Sequence, residues 1–106
     1  MNLMSRSEEI MLLTILKLKE NAYGVSIREQ IKNDSGKEWS FASIYQPLDK
    51  LTRKGFVRKL KGEPTPERGG KRKYYYEITE QGKSALLDIK KASENFWSGI
   101  PEIAGK

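Results

Sequence analysis

Ten basic residues lie between Asp49 and Lys73, namely Lys50, Arg53, Lys54, Arg58, Lys59, Lys61, Arg68, Lys71, Arg72 and Lys73, against three acidic ones. That quarter of the chain carries a formal charge of +7, and the rest carries −1, so the overall +6 belongs to one segment. A localised basic stretch is the electrostatic footprint of a binder of phosphate backbones. Ahead of it stand Ser40, Ser43 and Gln46, neutral groups able to meet base edges or phosphates, one of the serines also being a natural helix cap. Lys50, Arg53, Lys54, Arg68, Lys71, Arg72 and Lys73 are the candidates for phosphate neutralisation.

Other chemistry is poorly supplied. Histidine and cysteine are absent, which excludes a tetrahedral zinc site of ordinary ligands, a thiolate nucleophile and a Ser-His or Cys-His pair. The acidic residues form no paired-carboxylate motif, and Gly69-Gly70 lies between strand-like segments rather than before a helix. An enzyme is not expected, and no metal or cofactor is expected either. The lack of disulfides favours a reducing, cytoplasmic setting. No apolar run approaches the roughly 20 residues that span a bilayer, so no membrane partner is expected.

At 106 residues the chain has room for one compact unit. From Glu8 to Glu20, apolar residues occupy most faces of a helical wheel, which predicts a helix packed on more than one side, capped by Ser5 or Ser7. Asn21 to Gly24 interrupts, and Val25, Ile27 and Ile31 then predict a short helix ending near 33–36. Ser40 suits the cap of a third helix, with Ile44, Leu48 and Leu51 on one face and Gly55 at its end. Pro47 leaves three readings open: a helix starting at Ser40, one starting later with Ser43 as cap, or a kink.

Phe56 to Leu60 and Lys73 to Thr79 have strand character, with 62–71 too rich in Gly and Pro for regular structure. They predict a hairpin with a long basic tip. Thr79 caps a last helix to about Ser98, stopped by Gly99 and Pro101. Gly82, Leu86, Ile89, Ser93, Phe96 and Ile100 along it follow a heptad seam, a pattern suited to pairing two copies or to packing on the same domain. The apolar surplus of the first helix favours pairing.

This order of elements predicts a mainly α fold with a small antiparallel hairpin, a winged helix-turn-helix, in which residues 1–79 bind DNA and 80–106 add a dimerisation helix and tail within one compact unit. The third helix fits a major groove and the wing reaches adjacent phosphates. An alternative is a winged-helix adaptor that docks an acidic protein and ignores duplex DNA.

The chain also resembles the PadR-like transcriptional regulators, in their short subgroup, from about Glu9 to Leu87. The likeness rests on Tyr23-Gly24, on Ser43-Ile44-Tyr45 followed by Leu48, Leu51 and Gly55, and on Arg72-Lys73, Tyr75-Tyr76, Ile78-Thr79-Glu80 and Gly82. It implies a homodimeric repressor joined through its C-terminal helix, a pseudo-palindromic double-stranded operator, and release by a small ligand in some members. Tyr45 joins Ser43 and the Lys71 to Lys73 cluster as residues matching the family's groove helix and wing. Two departures stand out: Gln46 intervenes between Tyr45 and Pro47, and Phe96-Trp97 lies about a turn beyond the tryptophan on which some members stack flat aromatic drugs. Phe96 and Trp97 are thus expected at the dimer interface first, and as an aromatic effector platform second.

Overall fold

The computed structural model describes residues 4–64 and 72–103. The first helix, α1 (Arg6–Leu18), starts at Ser5, whose Oγ accepts the Glu8 N–H at 3.1 Å while Glu8 Oε1 accepts the Ser5 N–H at 2.8 Å. This reciprocal cap satisfies two otherwise unpaired donors. A single 3-10 turn, Lys19–Asn21, carries the chain to α2 (Gly24–Ser35), where the Ser26 hydroxyl accepts from Tyr23 N and donates to the Asn21 carbonyl.

The third helix, α3 (Phe41–Lys54), decides the question posed by Pro47. Ser40 is its cap, accepting the Ser43 N–H at 3.1 Å, and the helix runs through Pro47 without stopping. Proline withholds one hydrogen bond, from the carbonyl of Ser43. Its ring is buried beside Ile44, Leu48 and Leu51, which together hold the helix against the rest of the core. The helix ends at Gly55, whose φ of 82° is the left-handed conformation that residues with a Cβ resist.

Strands β1 (Val57–Pro64) and β2 (Arg72–Ile78) form the antiparallel hairpin, with Val57 opposite Ile78, Lys59 opposite Tyr76 and Lys61 opposite Tyr74. The first strand runs four residues beyond Leu60, through Gly62 and Pro64, where composition predicts irregular loop. A register shift between Lys61 and Pro64 absorbs the break. The free edge of β2 is covered in turn, since Tyr76 N donates to the Ala22 carbonyl at 2.8 Å and Tyr23 bridges to Tyr75. Helix α4 (Glu80–Trp97) then begins at Thr79, whose hydroxyl accepts from Gly82 N and donates to the Gly55 carbonyl at 2.7 Å. One side chain thereby joins the end of α3 to the start of α4.

Met11, Leu12, Ile27, Ile31, Ile44, Leu48 and Leu51 are fully buried at the centre of the three-helix layer, and Val57, Tyr76 and Ile78 close it from the hairpin. Trp39 is partly buried against this core, just before α3. The molecule measures 55 × 32 × 21 Å. Three helices followed by a two-stranded wing and a further helix make this a winged helix-turn-helix.

The heptad seam of α4 divides. Gly82 lies against Phe56 and Ile78 of its own chain, and Leu86 and Ile89 are buried within the protomer. From Ser93 onward every described residue is exposed, with Phe96, Trp97, Ile100 and Ile103 each half or more accessible. Leu13 and Leu16 on α1 also stay on the surface. The part of the seam free to meet another molecule is therefore the C-terminal part, Ser93, Phe96 and Ile100, rather than its whole length.

Candidate nucleic-acid interface

Helix α3 has three exposed strips. Because 3.6 residues make a turn, Ala42, Gln46, Asp49 and Arg53, all exposed, form the strip farthest from Ile44, Leu48 and Leu51. Ser43 and Lys50 flank it on the α1 side, where a shallow groove is lined by Ser5, Ser7, Glu8, Ser43, Gln46, Pro47 and Lys50. Phe41 and Tyr45 flank it on the hairpin side, their rings stacked at 6.3 Å.

The two serines divide the work assigned to either. Ser40 Oγ accepts from Ser43 N and donates to Ser43 Oγ at 3.0 Å, so the hydroxyl of Ser40 is committed to the cap. Ser43 receives that bond and keeps its own hydroxyl proton for an outside acceptor. Gln46, Lys50 and Arg53 are exposed, and neither cation forms an ion pair with a described carboxylate.

Lys54 is placed differently. Its Nζ sits 2.8 Å from Glu8 Oε2, and the Glu8 side chain is only 5% exposed. Burial pushes the Glu8 carboxyl upward, but the Lys54 hydrogen bond, the Ser5 N–H and the lysine charge together hold it below the ordinary carboxylate value. Lys54 thus ties the end of α3 to the start of α1. The spacing along α3 puts Lys54 beside Arg53 and Lys50 as a phosphate contact, but the pair is 46 residues apart in sequence and invisible to local pattern.

Tyr45 is placed by Gly24. A Cβ at Gly24 would overlap the Tyr45 hydroxyl and the adjoining ring carbon, so the first residue of α2 must be bare for the tyrosine to lie there. Arg28 completes the arrangement, its guanidinium 4.5 Å from the centre of the Phe41 ring and its Nε donating to the Trp39 carbonyl at 2.6 Å. Local sequence hinted at this only as the dipeptide Tyr23-Gly24.

Between α3 and the hairpin lies a cleft of about 340 Å³, lined by Tyr23, Gly24, Val25, Tyr45, Asp49, Lys59, Lys73, Tyr74 and Tyr76. Lys73 holds its ammonium 4.2 Å from the centre of the Tyr23 ring, and Lys59 holds its own 4.6 Å from that of Tyr74. Tyr76 forms the floor. Burial above all, with Tyr45 and the carboxylate of Asp49 nearby, pushes its phenol up to about 12, so it stays neutral. Of the wing residues singled out from composition, Lys73 lines this cleft and Arg72 opens β2, whereas Arg68 and Lys71 lie outside the described residues. Asp49, Lys59 and Tyr74 were missed; the signal for the last two is the strand register, which sets Lys59, Lys61, Tyr74 and Tyr76 on one face.

An exposed helix of groove dimensions, bordered by a lysine-bearing hairpin, defines a winged-helix protein of the nucleic-acid-binding class. Comparison with known proteins gives the family: the transcriptional regulator PadR-like family model matches residues 12–88, and the chain belongs to that family. Similar solved structures include a PadR family transcription regulator from Clostridium difficile R20291, at 27% identity and a TM-score of 0.63, covering 84% of this chain and 88% of that one. A transcriptional regulator from Clostridium thermocellum is similar at 22% identity and a TM-score of 0.71, over 88% and 87% of the two chains. RosR of H. salinarum is similar at 20% identity and a TM-score of 0.70, over 92% and 81%. No curated protein matches the sequence.

The protein is therefore a DNA-binding transcriptional regulator of PadR type, in a family whose members are generally not enzymes. Among the described residues no cluster of three or more Asp or Glu could hold a metal ion, and no helix is long and apolar enough to cross a membrane.

Proposed function

We propose that the protein is a cytoplasmic homodimeric repressor that binds a pseudo-palindromic operator with one α3 in each of two successive major grooves. The observation that carries this reading is the outermost strip of α3, where Gln46 and Arg53 stand exposed with Ser43 and Lys50 beside them. Gln46 and Arg53 suit base edges in the groove, Gln pairing with adenine and Arg with guanine. Ser43 and Lys50 suit phosphates, as do Tyr45, Lys73 and the wing cations Arg68, Lys71 and Arg72. Ser40 serves by capping the helix that presents them.

Dimerisation through the exposed end of α4, with Ser93, Phe96 and Ile100 facing a second copy and Leu13 or Leu16 of α1 alongside, removes the largest apolar side chains from water. In this arrangement 80–106 serves as the dimerisation segment and 1–79 as the DNA-binding unit. Release by a small aromatic ligand draws support from Phe96 and Trp97, which stand 68% and 62% exposed near a shallow cleft lined by Asp88, Lys91, Ala92, Asn95 and Phe96.

Sequencing of genomic fragments retained by the purified protein tests the reading. Enrichment of one inverted repeat with half-sites about 10 base pairs apart, centre to centre, is the expected result. Absence of any duplex binding at low salt and micromolar protein, with tight capture of an acidic protein instead, points to the adaptor reading. Quenching of tryptophan fluorescence by a planar aromatic cation, abolished in Trp97→Ala, is expected if an effector binds there.

A further inference from the structure

The cleft between α3 and the hairpin is chemically distinct from the rest of the wing. On the outer face of β1, Arg58 is paired with Glu77 across the strands at 2.7 Å. Lys59, on the inner face, has no described carboxylate partner, and neither has Lys73, which alternation along β2 sets with Tyr75 and Glu77 but which lines the same cleft from the Tyr23 side. Each lies instead over a tyrosine ring, an attraction that restrains the ammonium without neutralising it. Two restrained cations thus line one cleft, with the hydroxyl-bearing rings of Tyr45 and Tyr74 in the same lining. Such preorganisation lowers the ordering cost of receiving an anion.

The remaining charged group in the cleft is Asp49, which reduces two positive charges to a net +1. A phosphodiester carries a single negative charge, whereas a free phosphate or phosphomonoester carries about −1.5 to −2 at neutral pH. The balance suits the diester. The position agrees, because the cleft opens beside the outermost strip of α3, where a strand bordering the occupied groove has to pass.

We propose that this cleft seats one backbone phosphate of the bound duplex, with Lys59 and Lys73 as its cations and the Tyr45 and Tyr74 hydroxyls as donors. The proposal rests on the DNA-binding reading above and adds Lys59 and Tyr74 to it. Lys59 acts as a positioning contact common to all sequences, and Asp49 keeps the seat selective for a diester.

The test uses the full chain and a mixed-sequence duplex of about 30 base pairs, with binding followed by fluorescence anisotropy between about 50 and 300 mM salt. Lys59→Gln is expected to weaken binding about tenfold at the lowest salt and to lower the slope of log affinity against log salt by about 0.9 for each protomer engaged. Lys59→Arg restores the slope. Tyr74→Phe keeps the ring beneath Lys59 and gives a smaller loss with an unchanged slope. Arg58→Gln removes the same charge one residue away on the opposite face and leaves the slope as in wild type. Equal slopes for Lys59→Gln and Arg58→Gln in a protein that otherwise binds DNA overturn the phosphate seat alone; failure of the wild type to bind any duplex overturns the DNA-binding reading with it. Displacement of the duplex by millimolar inorganic phosphate at constant ionic strength overturns the assignment to a diester.

Discussion

Lys54 separates two accounts of the same residue, and Lys54→Met distinguishes them. Methionine keeps the aliphatic stem and removes the ammonium that lies 2.8 Å from Glu8 Oε2. Stripping one partner from a fully buried ion pair costs about 3–5 kcal/mol, because the other charge is left without compensation. Here Glu8 is 5% exposed but Lys54 is 45% exposed, so water screens the site, and Glu8 keeps its bond to Ser5 N. The expected loss is then about 1–2 kcal/mol, a visible share of the roughly 5–15 kcal/mol of a domain this size. Urea unfolding at neutral pH measures it. The salt slope of duplex binding should stay at the wild-type value, while Lys50→Gln lowers it by about 0.9 per protomer. Wild-type stability with a lowered salt slope in Lys54→Met would refute the reasoning and return Lys54 to the phosphate contacts.

The same pair sets a pH dependence. The Glu8 carboxyl is held below its ordinary value of 4.5 in the folded chain, so its contribution is complete above that value and is lost as pH falls through the lower folded value. Urea midpoints of the wild type should therefore drop on acidification below about pH 4.5, and those of Lys54→Met should drop less. Gly24→Ala is expected to destabilise by about 1–3 kcal/mol through collision with the Tyr45 hydroxyl. Calorimetry should show much of that loss recovered in Gly24→Ala/Tyr45→Ala, and equal melting of both variants would contradict the contact. Gln46→Ala and Arg53→Ala should relax the base preference in a selection from random duplexes, each by about 1–3 kcal/mol at one position, whereas Lys50→Ala should weaken all sequences alike. Phe96→Asp/Ile100→Asp should sediment at the monomer mass of 12.2 kDa under conditions where wild type sediments at twice that; an unchanged mass would exclude the end of α4 from the interface.

Several features that depend on neighbours a few residues away are legible in the sequence. Thr79, Gly55 and the Ile44, Leu48, Leu51 face announce the start of α4, the end of α3 and the orientation of α3 because capping and helical periodicity act over three or four residues, whereas Pro47 leaves the start of α3 open between Ser40 and Ser43. The hairpin followed for the same reason, although β1 continues to Pro64 because pairing with β2 outweighs the local preference of Gly62 and Pro64 for loop. Helix α3 likewise passes Pro47, whose buried ring contributes packing that a propensity scale does not contain.

Composition and local pattern determined that this chain lacks the histidine and cysteine of zinc, thiolate and Ser-His chemistry, that its positive charge is gathered at one helix and one hairpin, and that the helix carries a polar outer surface. Tertiary structure decided which members of that charged set are available. It gave Lys54 to Glu8 and Arg58 to Glu77, and set Lys59 and Lys73 over tyrosine rings beside α3. It also buried Leu86 and Ile89 while leaving Phe96 and Ile100 in water. The physical reason is common to all of these: a side chain's partner is fixed by contacts between segments distant in the chain, and no local rule of spacing encodes them.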